Sequence, residues 1–497
     1  MGRIRRATIA QVLAIALLGT TLALAEPEAS FIVPPATPRA ECGHGSHPET
    51  GLQGRLSYED HASGYLVQGI TCNTSLVGRF SGKAATGGVA GGSKVHRYVD
   101  PAGNECAYYD SSLLFPLDAQ KAHSDGLGVY VLDMSDPAQP KKTANLVTPA
   151  MLSPWESLSL DKERGLLAAV SAYTINGILD VYDLTDDCRR PVLKSSTPLG
   201  IQGHEGTLSP DGRTFWAVSG GDCHHPASLT AVDITRPSLP KIVWLSTEHR
   251  FHGVSISDDG TRLYGADLRH LIPCREVVDQ SQPLGLRILD VSDVQNRVPF
   301  PTVTEVARVS WPTWSVPQAS IPVTIGNKPH LIEFDEFARG NRNGDPSAPV
   351  GAVRIFDIAD ERHPVVVSDI RLEVHQPENI ATIAGDPGAT FPLGGYSAHY
   401  CSVPQRHEPG ILACSFILSG LRVFDIRDPA HPKEIAYFNA PVPKANELEE
   451  QGNRMAPFNA PYAMAAPAFA PERSEIWYSD ASFGFFNVRV ADEIWPR

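Results

Sequence analysis

One phrase recurs along the chain and limits what it can fold into. It first reads Gly128-Val-Tyr-Val-Leu-Asp133-Met-Ser-Asp-Pro137. It returns as Leu179-Asp-Val-Tyr-Asp183-Leu-Thr-Asp186, Leu229-Thr-Ala-Val-Asp233-Ile-Thr-Arg-Pro237 and Leu286-Arg-Ile-Leu-Asp290-Val-Ser-Asp293. Two further copies are Val353-Arg-Ile-Phe-Asp357-Ile-Ala-Asp360 and Leu421-Arg-Val-Phe-Asp425-Ile-Arg-Asp-Pro429, and a degraded seventh is Gly484-Phe-Phe-Asn487-Val488. The aspartate recurs every 50 to 68 residues, a period that marks a propeller or a similar array.

Each phrase is a short apolar run and therefore a strand. It ends in Asp followed by Ser, Asp and Pro, whose side chains cap turns and whose ring fixes φ. That regular position assigns Asp133, Asp183, Asp233, Asp290, Asp357 and Asp425 to turn capping rather than to calcium. A second apolar strand follows, such as Pro432-Lys-Glu-Ile-Ala-Tyr-Phe438, and a hairpin precedes, closed by Ser209-Pro-Asp-Gly212 or Ser257-Asp-Asp-Gly260. Each unit is thus four short antiparallel strands, the composition of a propeller blade. Gly (41) and Pro (42) make up about a sixth of the 497 residues, which suits many turns.

The expected fold is all-β: a seven-bladed β-propeller with blades at about 95–146, 153–199, 203–247, 251–309, 329–373, 397–439 and 460–490. The seventh unit has three strands. Thr74-Ser-Leu-Val-Gly-Arg-Phe80 reads as an isolated strand and is expected to supply the fourth, closing the ring with an N-terminal strand. Residues 26–73 form an N-terminal extension, 74–497 the propeller, and the Gly- and Ala-rich stretch 81–94 a linker into the first blade.

The repeated phrase resembles the LVIVD repeat of exported bacterial β-propeller proteins, over about residues 95–490. The resemblance implies the fold and leaves activity open, since family members mostly have none assigned.

In a propeller the first strand of each blade lines the central channel. Counting back twelve residues from the second strand reaches His96, Glu156, His204, His252 and, in the seventh blade, Ala466. In the fifth and sixth blades, aligned by Pro329-His330-Leu-Ile-Glu-Phe and Ala398-His399-Tyr-Cys-Ser-Val, the slot holds His330 and His399. Neutral imidazoles converging with a carboxylate are ligands for a transition metal such as Cu, Fe or Zn. Glu205 and Glu333 are candidates to orient those rings. Two roles are open for the slot: metal ligands, or structural histidines bonded to a neighbouring strand.

Cys223-His224-His225, His249 and His270 lie in loops and are read as exposed, and Trp155, beside Glu156, either stacks on a ligand or packs between blades. Asp335-Glu336 and Arg339-Gly-Asn-Arg-Asn-Gly-Asp345 have a calcium-loop flavour without EF-hand spacing.

Arg3, Arg5 and Arg6 precede an apolar stretch, Ile9 to Leu24, and Ala23-Leu-Ala25, which reads as a signal peptide cleaved after Ala25. No other segment is long and apolar enough to span a membrane. The eight cysteines, an even number in an exported chain, favour disulfides. Cys401–Cys414 is expected across a hairpin, with Cys223–Cys274 and Cys42–Cys72 as further pairings. The expected location is secreted or periplasmic. A net charge of −14 argues against nucleic-acid partners.

No G-x-S-x-G, H-E-x-x-H, Walker or Rossmann motif is present. The expected function is a binding module for a ligand or protein partner on a propeller face, with a His-rich metal site in the channel. The alternative is a metal-dependent (Cu or Fe) oxidoreductase using the hub histidines. Propellers that hold iron or copper through histidines, such as the carotenoid oxygenases and the selenium-binding methanethiol oxidases, are analogues in fold.

Overall fold

The computed structural model describes residues 33–81, 91–111, 127–172, 177–201, 203–221, 226–269, 284–311, 315–338, 352–389, 395–442 and 460–496. The signal segment, Cys223, His224, His225, His270, Cys274 and the loop 339–345 lie outside them.

Seven antiparallel sheets follow one another along the chain. Two short strands come first, β1 (Ile70–Cys72) and β2 (Thr74–Phe80). Blade one is β3 (Val95–Val99), β4 (Glu105–Ser111), β5 (Gly128–Asp133) and β6 (Lys141–Leu146). Blade two is β7 (Ser159–Asp161), β8 (Leu166–Val170), β9 (Ile178–Asp183) and β10 (Val192–Pro198). Blade three is β11 (Glu205–Leu208), β12 (Thr214–Ser219), β13 (Ser228–Asp233) and β14 (Lys241–Ser246). Blade four is β15 (Phe251–Ile256), β16 (Arg262–Asp267), β17 (Gly285–Asp290) and β18 (Thr304–Ser310). Blade five is β19 (Ser315–Ile325), β20 (Lys328–Ala338), β21 (Val353–Asp357) and β22 (Val365–Ile370). Blade six is β23 (Ala398–Ser402), β24 (Ile411–Phe416), β25 (Gly420–Asp425) and β26 (Lys433–Asn439). Blade seven is β27 (Ala468–Ala470), β28 (Glu475–Asp480) and β29 (Gly484–Val490).

The ring closes as expected. β2 pairs antiparallel with β29, from Thr74 opposite Val490 to Phe80 opposite Phe485. The preceding strand, β1, adds a fifth strand to the edge of blade six. First strands of neighbouring blades touch in succession, β7 to β11, β15, β19 and β23, and β27 to β3, which puts them around the axis. Buried apolar residues of the second and third strands pack blade against blade, as Tyr108, Val131, Leu167 and Tyr182 do between blades one and two.

The repeated aspartates cap turns. Asp133, Asp183, Asp233, Asp290, Asp357 and Asp425 each accept a hydrogen bond from the backbone N–H two residues on, at 2.8–3.0 Å. Their recurrence is therefore structural.

Blade five departs from expectation. Its first strand is β19, upstream of residue 329, and β20 is its second. The hairpin between them turns on Gly326 and Asn327, both at φ +58°, the two-residue turn whose twist matches paired strands. Gly-Asn between two apolar runs was the sequence signal for it.

Disulfides join Cys42–Cys72, Cys106–Cys188 and Cys401–Cys414. Cys401 and Cys414 are directly opposite each other in register, as read from the hairpin. Cys106–Cys188 ties the first blade to the second and was not foreseen, because its partners are 82 residues apart. No described helix is long and apolar enough to cross a membrane.

His375, fully buried between blades five and six, is locked neutral. Its Nδ1 accepts from the Leu372 N–H at 2.9 Å and its Nε2 donates to the Tyr396 carbonyl at 2.7 Å. Burial, helped by Arg371 and Arg422, pushes its pKa down to about 3 against the one hydrogen bond that favours charge. Unfolding below pH 6.5 therefore takes up a proton, and stability is lost as the pH falls from 6.5 towards 3. The stability gap between the wild type and His375→Gln should shrink on acidification by about 1.4 kcal/mol per pH unit in that window. Urea melts from pH 7 to 4.5 test it, and a constant gap would contradict it.

Candidate metal centre

Register decides which residues share a depth in the channel. In six blades, the second-strand residue opposite the position two before the repeat Asp pairs with His96, Ser159, Thr207, Ser255, Ile321 or Ser402 of the first strand. This tier carries mostly hydroxyls. Three residues earlier lie Ser93, Glu156, His204, His252, Gln318 and His399. Four of the six expected ligands, Glu156, His204, His252 and His399, thus share one level.

The other two do not. His96 pairs with Tyr108, twelve residues on, whereas Thr207 pairs with Trp216, nine residues on. The blade-one hairpin has a longer turn, so counting back twelve residues stops three short. His96 sits about 10 Å further along the channel at strand spacing, where its Nε2 donates to the Leu158 carbonyl at 2.9 Å. His330 is on β20, not on a first strand. It stands opposite Val323 and Asp357 near the hairpin end, six residues before Glu336, with Nδ1 donating to the Lys328 carbonyl at 3.0 Å.

Backbone irregularities aim the tier. An extra residue bulges β15 between Phe251 and Val254, around His252, and β23 between Ala398 and Cys401, around His399. β19 shifts register on either side of Pro317, next to Gln318. Bulges turn side chains out of the alternation and are common beside functional sites. Trp155, immediately before Glu156, holds a left-handed φ of +52°, a strained conformation for a large residue. Its ring lies 5.8 Å from that of His204.

The donors are close and largely buried. His204 Nε2 is 3.1 Å from Glu156 Oε2 and 3.2 Å from His252 Nε2. His399 Nε2 is 3.6 Å from Glu156 Oε1. His252 Nε2 is 3.1 Å from Glu336 Oε2. Glu336, at the hub end of β20, was not expected among the ligands. Its signal was the acidic run Glu333-Phe-Asp-Glu336 at the end of an apolar strand, noted above only for calcium. Two groups could hold a metal ion: Glu156 with His204 and His252, and Glu156 with Glu336 and His399.

Two rings are set by main-chain carbonyls. His252 Nδ1 donates to Gln318 O at 3.2 Å and His399 Nδ1 to Met464 O at 2.7 Å. A carbonyl only accepts, so Nδ1 carries a hydrogen in both rings and Nε2 is left to face the other donors. This is the outer support that metal-binding histidines use. His399 Nε2, buried, has no hydrogen-bond partner among the described residues. Neither expected carboxylate orients a ring: Glu333 binds Arg354 at 2.8 Å, and Glu205 pairs with Lys94 at 3.2 Å.

The buried carboxylates and imidazoles of the tier act strongly on one another. Burial alone would raise Glu156, but His204, His252 and His399 hold it well below the usual carboxylate range. Burial alone would discharge His252, yet Glu336 and Glu156 push it up to about 9. Burial, with Glu156 beside it, raises Glu205 to about 7 against the pull of Lys94. The charge that His252 retains is thus set by the carboxylates around it.

On one side of this tier lies a cavity of about 500 Å³. Lys94, Glu205 and Tyr400 are among its lining residues, and Glu205 and Tyr400 directly follow His204 and His399. Ser159, Thr207, Ser255, Ser320 and Ser402 line its wall, with His96. His249 instead packs in blade four, stacked on Phe251 and accepting from Arg287 at 3.1 Å.

No family model matches this chain, and no curated protein does. Similar solved structures include Kuenenia stuttgartiensis hydrazine synthase, at 12% identity and a TM-score of 0.47, covering 84% of this chain and 97% of that one. A periplasmic gluconolactonase from Pseudomonas aeruginosa is 15% identical with a TM-score of 0.44, covering 73% and 92%. The likeness concerns the fold alone.

Proposed function

We propose that this chain is an exported, LVIVD-type propeller that holds a divalent transition metal on the hub tier and binds a small polar molecule in the adjoining cavity. The observation that carries the reading is the pair of rings anchored through Nδ1, with His399 Nε2 turned towards Glu156 and His252 Nε2 towards Glu336 and His204. Imidazole and carboxylate donors suit Zn, Fe, Mn or Cu(II) and not a thiophilic ion. Two carboxylates and three neutral imidazoles carry −2, which one divalent ion neutralises. The hydroxyl wall offers donors and acceptors to a polar ligand, beside the paired Lys94 and Glu205. Three disulfides fit an oxidising compartment, and the leader read in the sequence fits export.

The test is the metal content of the purified protein by mass spectrometry, before and after reconstitution with Zn²⁺ or Mn²⁺. The wild type and His330→Ala should retain metal equally. His252→Ala/His399→Ala should bind it at least 100-fold more weakly. No metal in the reconstituted wild type, or equal loss from His330→Ala, would overturn the reading.

A further inference from the structure

We infer that the hub site is dinuclear, with Glu156 bridging two metal ions. This rests on the reading of the hub as a metal site and goes beyond it. The donor atoms fall into two triads that share one residue, Glu156–His204–His252 and Glu156–Glu336–His399. Glu156 turns a different oxygen to each: Oε2 lies 3.1 Å from His204 Nε2, and Oε1 lies 3.6 Å from His399 Nε2. A carboxylate whose two oxygens face two sets of nitrogen and oxygen donors is placed to bridge. Bridged pairs typically sit about 3.5–4 Å apart. Glu336 links the halves from the other side, with Oε2 3.1 Å from His252 Nε2.

The second triad has its own sign of an absent partner. His399 is 1% exposed, its Nδ1 is committed to the Met464 carbonyl, and its Nε2 has no hydrogen-bond partner among the described residues.

The experiment titrates the metal-stripped full chain with Mn²⁺, counting bound ions by electron paramagnetic resonance and mass spectrometry. The wild type should take up two ions per chain, with an exchange-coupled signal at two equivalents. Glu336→Gln and His399→Ala should each bind one ion with an uncoupled signal, and Glu156→Gln should lose the coupling. Near-UV circular dichroism unchanged from the wild type certifies each variant as folded. The wild-type stoichiometry decides the matter even where a variant fails to fold. One ion per wild-type chain, or two without coupling, overturns the bridged pair and leaves the metal-site reading standing. No bound ion overturns both.

Discussion

Without the strand Thr74–Phe80 the protein is expected to accumulate as aggregate rather than as a monomer. A chain starting at Ser81 lacks β2, so β29 loses its partner along the whole run from Phe485 to Val490. Those residues are buried apart from Arg489, and their exposed ladder would be a template for pairing with another chain. The loss is not confined to one blade. Gly78 sits so close to the turn of blade one that a Cβ there would come within 2.3 Å of the Pro137 carbonyl and 2.9 Å of Ala138. Asn487 reaches the same Pro137 carbonyl at 3.3 Å. β2 therefore wedges blade seven against blade one, where the two ends of the array meet. The single substitution Gly78→Val should lower stability by about 2–4 kcal/mol through backbone overlap. Ser75→Ala, on the exposed part of the same strand, should change it by less than about 0.5 kcal/mol. Size-exclusion chromatography and thermal melts read both. A truncated monomer that melts like the wild type would show that closure does not hold the ring.

Arg422→Met is expected to cost about 3–5 kcal/mol, the penalty for stranding buried charge. Arg422 is fully buried on β25. Its guanidinium binds Glu434 at 2.9 Å and Glu49, and donates to the Ser419 carbonyl at 2.9 Å. It also lies 4.5 Å from the centre of the Tyr437 ring. Glu49 belongs to the N-terminal extension, so this cation joins that segment to blade six. Glu434 is further held by Gln53 of the extension at 2.9 Å. With methionine at 422, two carboxylates remain without their cation in a site closed to water. Combining Arg422→Met with Glu49→Gln and Glu434→Gln should recover most of the loss, because a neutral polar set is cheaper to bury than unpaired ions. Urea denaturation of the single and triple variants measures the difference. A triple variant no more stable than the single one would mean that lost packing, not stranded charge, sets the cost.

What was legible beforehand follows a physical division. Alternation and turn chemistry act over a few residues, so seven copies of one phrase were enough to read strands, blades and caps. The isolated run at Thr74–Phe80 and the missing strand of the last unit pointed to each other. Cys401 and Cys414 flank one turn, and their pairing needed only that turn to be seen. Glu156, His204, His252 and His399 were found because their blades share a hairpin length or a recognisable strand start.

The tertiary structure alone decided which residues meet. Depth in the channel is a sum over every turn and bulge before it, and one extra residue moves a side chain to another face or level. A three-residue difference in one turn carried His96 out of the tier. An unrecognised Gly-Asn hairpin sent His330 to the far end of its strand and hid Glu336, which arrives at the hub from a second strand rather than a first. Cys106–Cys188 and the grip of Arg422 on Glu49 join segments distant in the chain, and no local pattern announces such partners. The sequence by itself determined the repeat, and with it the fold. Contacts between blades determined the site, because the donors come from five different blades and meet only when the ring is closed.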